Sequence, residues 1–262
     1  MSQTQDQPSV LRAARERTRA DITRQILDAA RRHLASDGAS GLSLRAIARE
    51  LGMSSSAVYR YVASRDDLLT SLHVAAYDAL GLAAEGQDAA VARDDFFGRW
   101  SAVCHAVRAW AQANPNEYAL IYGTPVPGYV AAAATIAPAA RVTNLLLGIL
   151  VDAAAAERLA PAIVDDDVAP DNREALGPVR ALVPSQVPDA LLQRGLMTWA
   201  ALFGTVLFEL FGQVDHVVSE ESGDRDAFFA ECVQRWATQV GIASDRTDPE
   251  DTSGALLEPV RE

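Results

Sequence analysis

Residues 44–61 read Leu44-Arg45-Ala46-Ile47-Ala48-Arg49-Glu50-Leu51-Gly52-Met53-Ser54-Ser55-Ser56-Ala57-Val58-Tyr59-Arg60-Tyr61. Leu44, Ile47, Ala48 and Leu51 recur three and four apart, which is one face of a helix over 44–51, and Ser43 stands where its N-cap belongs. Gly52 supplies the positive φ of a tight turn. Ser54 then opens a second short helix over 55–61. Ala48 is small where the two helices cross. Met53 and Val58 pin the second helix to the first and leave Ser55, Ser56, Ala57, Arg60 and Tyr61 on a free face. Small and polar side chains at the N-terminal end of that face allow close approach to base edges. Helix pairs of this kind lay their second helix in a DNA major groove.

The contacts divide into two kinds. Phosphate contacts position a protein on the duplex, and base contacts specify the sequence. Ser43 and the helix end it caps, the hydroxyls of Tyr59 and Tyr61, and Arg65 at the start of the following helix suit phosphate. Arg45 or Arg60 suits guanine, and Ser or Ala suits the thymine methyl. Two alternatives stay open: Tyr59 as a core tyrosine and Arg45 as a solvated surface residue. Arg49 and Glu50 read as surface charges.

Outward from this stretch, Ile22, Ile26, Leu27, Ala30 and Leu34 mark a helix over 22–37 that Gly38 closes. Ser64, with Asp67 three residues on, caps a helix carrying Leu68, Leu69, Leu72, Ala75, Ala76 and Ala79 to about residue 84. Residues 20–66 thus form a helix-turn-helix unit. Residues 1–19, polar and carrying Arg12, Arg15, Arg17 and Arg19, read as a disordered basic arm.

The chain has 262 residues, is 49% hydrophobic and carries a net charge of −12. That total hides an asymmetry. Residues 1–65 carry +5 and residues 66–262 carry −17, so a basic head sits on an acidic body. The body repels the DNA backbone and confines contact to the head. Every basic residue is Arg and none is Lys, which with the high Ala content fits a GC-rich, bacterial coding sequence.

The body, 67–242, is expected to be helical throughout, giving an all-α fold. A linker is expected at 86–93. Phe96, Phe97, Trp100, Val103, Cys104, Val107 and Trp110 form an apolar stripe over 94–113. A short helix at 115–122, a Pro- and Gly-rich loop at 123–130 and a long helix over 131–159 follow. Residues 160–187, dense in Pro and Asp, read as a flexible insertion. Pro188 opens a helix to about 211 that is apolar nearly all round and so must be covered on most sides. A last helix runs over 224–240, and 243–262 reads as a disordered tail. No uninterrupted apolar run long enough for a transmembrane helix stands out, so no membrane partner is expected. The polar N-terminus lacks a signal core, which implies the cytoplasm. Cys104 and Cys232 match no metal spacing and read as buried thiols. His33, His73, His105 and His216 are scattered, and no phosphate loop, HExxH or Gly-x-Ser-x-Gly occurs. Neither catalysis, nor a metal, nor a cofactor is expected.

Residues 22–72 resemble the N-terminal domain of the TetR family of bacterial regulators. The resemblance rests on Ile26-Leu27-Asp28-Ala29-Ala30, Gly38, Leu44-Arg45-Ala46-Ile47-Ala48, Leu51-Gly52-Met53-Ser54, and the run Val58-Tyr59-Arg60-Tyr61-Val62-Ala63-Ser64-Arg65-Asp66-Asp67-Leu68-Leu69. Three positions depart: Tyr61 where His is frequent, Val62 where Phe is common, and Arg65 for the usual Lys. Carried over by position, Ser43, Arg45, Ser55, Ser56, Ala57, Tyr59, Tyr61 and Arg65 face DNA. The resemblance implies a homodimer on a palindromic operator, usually a repressor released by a small ligand.

Further on, Pro115-x-x-Tyr118-x-Leu120-x-Tyr122-Gly123-Thr124-Pro125 and Trp199-x-x-x-Phe203-Gly204 are similar to the WHG type of C-terminal domain, with Phe203 at the place of its His. A pocket would lie between the helices at 94–113, 115–122, 138–159 and 188–211. Its candidate contacts are Trp100, His105, Trp110, Tyr118, Tyr122, Trp199 and Phe203, which suit a mostly apolar effector. The last two helices would form the dimer interface through Phe203, Val206, Leu207, Leu210, Phe211, Phe228, Phe229, Val233 and Trp236. A ligand-independent regulator, or an activator using the same head, is the alternative.

Overall fold

A computed structural model describes residues 7–160, 168–181, 183–185, 187–215, 217–218 and 222–243. Among them the architecture is all-helical, with one isolated bridge between Leu159 and Ile242. The head comprises α1 (Gln7–Asp37), a 3-10 turn (Ala39–Gly41), α2 (Leu44–Glu50) and α3 (Ser55–Val58). Helix α4 (Arg65–Ala89) leaves the head and enters the body. There it packs on α5 (Phe96–Ala113), α6 (Pro115–Tyr122), α7 (Ile136–Ala139) and α8 (Arg141–Ala155). Two short helices, α9 (Pro170–Ala175) and α10 (Gly177–Arg180), precede α11 (Asp189–Leu210) and α12 (Ser222–Gln239).

Local rules set the element starts. Ser43 Oγ accepts from the N–H of Ala46 (3.4 Å), Ser54 Oγ from Ala57 (3.2 Å) and Ser64 Oγ from Asp67 (3.0 Å). Each such N-cap contributes about 1 kcal/mol. Gly38 and Gly52 have φ of 67° and 65°, so both turns use a conformation that costs a side-chain-bearing residue. The head's core gathers Ile26, Leu34, Ile47, Val58, Leu68 and Leu69, and it also takes in Leu120 and Val126 from the body. The body's core centres on α5, through Trp100, Val103, Cys104 and Val107. Cys104 is buried as expected, whereas Cys232 is only half-buried.

Several expectations are corrected. From Gln7 onward the supposed disordered arm is the first part of α1, because a helix anchored downstream propagates at little cost without a core beneath it. Residues 1–6 lie outside the described residues. The linker at 86–93 is helical to Ala89. Its last turn is locked by Asp88, which is 2% exposed and accepts from Arg99 Nε (2.8 Å) and Arg93 Nη1 (2.6 Å). The long helix over 131–159 bends by 40° between α7 and α8 and ends at Ala155. Pro138 has no N–H to donate to the turn before it, which weakens the ladder near this bend. The second helix of the head motif closes at Val58, with turns to Tyr61.

Within 160–187, the described residues 168–181 are an ordered cover. Val168, Leu176 and Val187 reach the body core, and Pro170 and Pro178 sit in first helical turns. Arg180 donates to the carbonyls of Pro184 and Val187. Residues 161–167, 182 and 186, and the expected tail from 244, lie outside the described residues.

Asp88 also sets an acid response. Burial pushes its pKa up, but hydrogen bonds from Arg99 and Arg93 outweigh this and hold it below the ordinary 3.8. A carboxyl with a depressed folded pKa adds stability above its unfolded value and loses it as pH falls through the folded value. Urea titrations from about pH 5 downward are expected to show stability falling, with a shallower fall in Asp88→Asn. An identical slope in the variant would remove Asp88 from the acid response.

The proposed interface residues separate into two groups. Val206, Phe229, Val233 and Trp236, with Phe203, are buried in the chain's own core and cannot present a surface to a partner. Leu207 and Leu210 are half-buried. Phe211 and Phe228 remain exposed, joined by Leu196, Met197 and Phe208. Helix α11 is long and apolar enough to cross a bilayer, but it packs on α5, α6 and α12 as part of the body.

Candidate nucleic-acid interface

The face of the head away from its core carries most of the candidate residues. Arg45, Ser56, Tyr59 and Arg60 are exposed, and Ser43, Ser55 and Ala57 are half-buried. The turn that aims α3 is closed by Met53 N–H donating to the Ala48 carbonyl at 2.9 Å. Behind it, Glu50 clamps α2 to α1. It accepts from Arg32 Nη2 (2.6 Å) and lies 2.9 Å from His33 Nε2. The Arg32 hydrogen bond lowers the Glu50 pKa. Glu50 is thus a paired residue where only a surface charge was expected. Ser43 Oγ accepts inside the head, which leaves its own proton to donate outward.

Three candidates are refined by their surroundings. Tyr59 is 46% exposed, so the core-tyrosine alternative is set aside. Tyr61 is half-buried against the head core with the Arg19 guanidinium 5.5 Å from its ring centre, a packing and cation–π position. Arg65 donates from Nη2 to the Ala39 carbonyl at 2.8 Å, tying α4 to the turn after α1. Its first task is to hold the head together.

The candidate effector residues do not converge on one pocket. Tyr118, Tyr122, Phe203 and Trp199 form a continuous aromatic stack, with ring centres 5.0, 4.4 and 5.4 Å apart along it. The Tyr118 hydroxyl donates to the Phe203 carbonyl (3.0 Å), and burial raises the pKa of Tyr118 and Tyr122. Tyr118 and Phe203 fill space rather than line it. His105 is exposed, edge-on to Phe229 and bonded to the Ser101 carbonyl. Trp110 is a half-buried flank of the core. Trp100 and Trp199 do line a cavity, of about 30 Å³, with Leu146, Leu150 and Leu191. Both indole N–H groups are buried with no acceptor among the described residues.

A larger hollow of about 740 Å³ lies where head meets body, between Gly38–Ser40 of the head, the loop from Thr124 to Pro127, and Tyr122, Phe208 and Phe211. Sequence reading missed it, since its walls come from three separate segments. It also missed the cleft that Arg15 and Arg19 form with Arg60, although their four-residue spacing was a signal.

Comparisons with known proteins cover both the head and the body. Residues 26–72 match the family described as bacterial regulatory proteins, tetR family. Residues 100–236 match the tetracyclin repressor-like C-terminal domain. Over 206 residues the chain is 43% identical to HTH-type transcriptional regulators of Mycobacterium tuberculosis and Mycobacterium bovis, covering 76% of this chain and 85% of each relative. The crystal structure of a regulatory protein designated SCO4313 is similar with a TM-score of 0.67 and 33% identity, over 85% of this chain and 98% of that one. A Rhodococcus protein of 23% identity shares the fold, with a TM-score of 0.61 over 85% of this chain and 96% of its own.

Proposed function

From the premise that the chain belongs to the TetR family and is a DNA-binding transcriptional regulator, not an enzyme, we propose that it is a repressor that binds a palindromic operator as a homodimer and leaves it on binding a small, mostly apolar ligand. The observation that carries the dimer is the apolar ridge on α11 and α12: Met197, Phe208, Phe211 and Phe228 are each more than two-fifths exposed. Such a ridge is costly in water and is relieved by a second copy. Pairing two heads about a twofold axis sets them one helical turn of DNA apart, roughly 34 Å. Ser43, Arg45, Ser55, Ser56, Ala57, Tyr59 and Arg60 then face the groove and its backbone, in the cytoplasm where bacterial DNA lies.

Release follows from the cavity between Trp100 and Trp199. At about 30 Å³ it admits a water or two. An effector must part α8 from α11, so it favours a different body geometry and draws the population toward it. An acceptor atom on that effector would satisfy the two indole N–H groups.

The test combines assembly and binding. Duplexes enriched by the protein from a randomised library are expected to hold an inverted repeat. Sedimentation is expected to show a dimer for the natural chain and a monomer for Met197→Asp/Phe208→Asp, with operator affinity lowered roughly a hundredfold or more, about 2.8 kcal/mol. A variant that stays dimeric, or enriched sequences without symmetry, would overturn the proposal.

A further inference from the structure

The surface available to DNA extends beyond α2 and α3. Helix α1 has 31 residues, about 46 Å at 1.5 Å per residue, and its N-terminal part projects without a core beneath it. From Arg12 to Asp21 every side chain is exposed except the half-exposed Ala13. Between this projection and the end of α3 lies an open cleft of about 530 Å³, lined by Ala14, Arg15, Thr18, Arg19, Arg60 and Tyr61. Ala14 and Thr18 keep it open because they are small. Among the described residues no carboxylate lines it. The acids of the projection are engaged elsewhere: Glu16 pairs with Arg12 (2.9 Å) and Asp21 with Arg24 (3.3 Å). Arg15 and Arg19, one turn apart on α1, therefore bring like charges together beside Arg60. Stacking on Tyr61 fixes Arg19 at the cleft wall.

We propose that this cleft is a second DNA contact, in which Arg15, Arg19 and Arg60 hold backbone phosphates beside the groove that α3 enters. The inference rests on the DNA-binding function stated above. Guanidinium groups match phosphate oxygens in paired hydrogen bonds. Groove dimensions place the helix on the backbone. A helix with its side chains is about 10–12 Å across, too wide for a minor groove of about 6 Å, and the neighbouring major groove is filled by α3. Phosphate contacts carry no sequence information. The cleft thus adds affinity equally on all sequences, while α2 and α3 supply the preference.

Salt dependence tests this in the full-length protein. Dissociation constants are measured from about 50 to 200 mM NaCl on a duplex enriched by the protein and on a shuffled duplex of the same composition. Arg15→Ala is the cleaner variant, since Arg15 is exposed and Arg19 also packs on Tyr61. It is expected to reduce the slope of log affinity against log salt by about 0.9 for each copy of Arg15 on the DNA, alike on both duplexes. The ratio of the two affinities and the melting temperature stay unchanged. Arg15→Ala/Arg19→Ala is expected to double the loss of slope, and Arg15→Lys to restore it. A natural chain that binds DNA, with an unchanged slope in both alanine variants, would overturn the cleft alone. A natural chain that binds neither duplex would overturn the DNA-binding reading with it.

Discussion

Replacing Arg45 and Tyr59 together with alanine is expected to weaken operator binding by at least about a hundredfold. Both side chains stand on the outer face of the head, and Tyr59 is nearly half exposed. A bidentate base contact contributes roughly 1–3 kcal/mol, and a hydrogen bond to a charged phosphate about 1.5–3 kcal/mol. Their joint loss centres above the roughly 2.8 kcal/mol that a hundredfold requires. Because neither side chain is buried, the proposed dimer and the melting temperature should be unaffected. Arg65→Ala provides the contrast. It loses the hydrogen bond to the Ala39 carbonyl, so stability should fall by about 1–3 kcal/mol as well. Electrophoretic titration beside thermal melting separates the two cases. Operator affinity within threefold of the natural chain in the Arg45/Tyr59 variant would remove this face from DNA recognition.

Arg108→Ala is expected to cost about 3–5 kcal/mol of stability, the typical cost of stranding one partner of a buried pair. Arg108 is 8% exposed and donates twice to Glu209, at 2.7 Å each, and once to Asp226 at 2.7 Å. Its guanidinium carbon lies 4.9 Å from the Phe229 ring centre. The hydrogen bonds to Glu209 dominate in raising its pKa, so the group is charged at every relevant pH. Asp226 is largely exposed and contributes little; the cost is the Glu209 carboxylate left in a mostly buried place. The melting temperature should drop by roughly 6–20 °C. Arg108→Met/Glu209→Gln should recover most of it, because no charge is then stranded. If the double variant is no more stable than the single one, the loss comes from packing instead. The consequence reaches function, since this residue holds α5 against the two helices proposed to pair subunits.

Legibility in the sequence followed the range of the forces. The head was readable because each device is local: serine caps three residues from their donors, apolar positions three and four apart, glycines at turns of positive φ. The start of α1 was not readable. Its Arg-rich stretch has no apolar stripe, so it looks disordered, yet helix propagation from Ile22 and Ile26 needs none. The cover at 168–181 rests on Val168 and Leu176, with Val187 beyond it, and their irregular spacing hides them among prolines and acids. On α11, Val206 and Phe208 are equally apolar. Only the packed structure tells that one faces α5's core and the other the outside. The aromatic candidates of the body were legible only in part: Tyr118, Tyr122 and Phe203 pack on one another, because rings suited to a ligand are equally suited to each other, whereas Trp100 and Trp199 line a cavity.

The head core that takes in Leu120 and Val126 has a consequence for hybrid regulators. Tyr129 adds to the same seam, stacked on His73 at 5.0 Å and hydrogen-bonded to Thr70 at 3.0 Å. A chimera spliced at residue 66, where sequence places the boundary, would swap one side of a shared hydrophobic joint and leave the other unmatched. A transplantable reader must carry α6 and its following loop with it. The portable unit of this protein is thus expected to be discontinuous in the chain, and a transplant of the first 66 residues alone to melt lower than one that carries the joint with it.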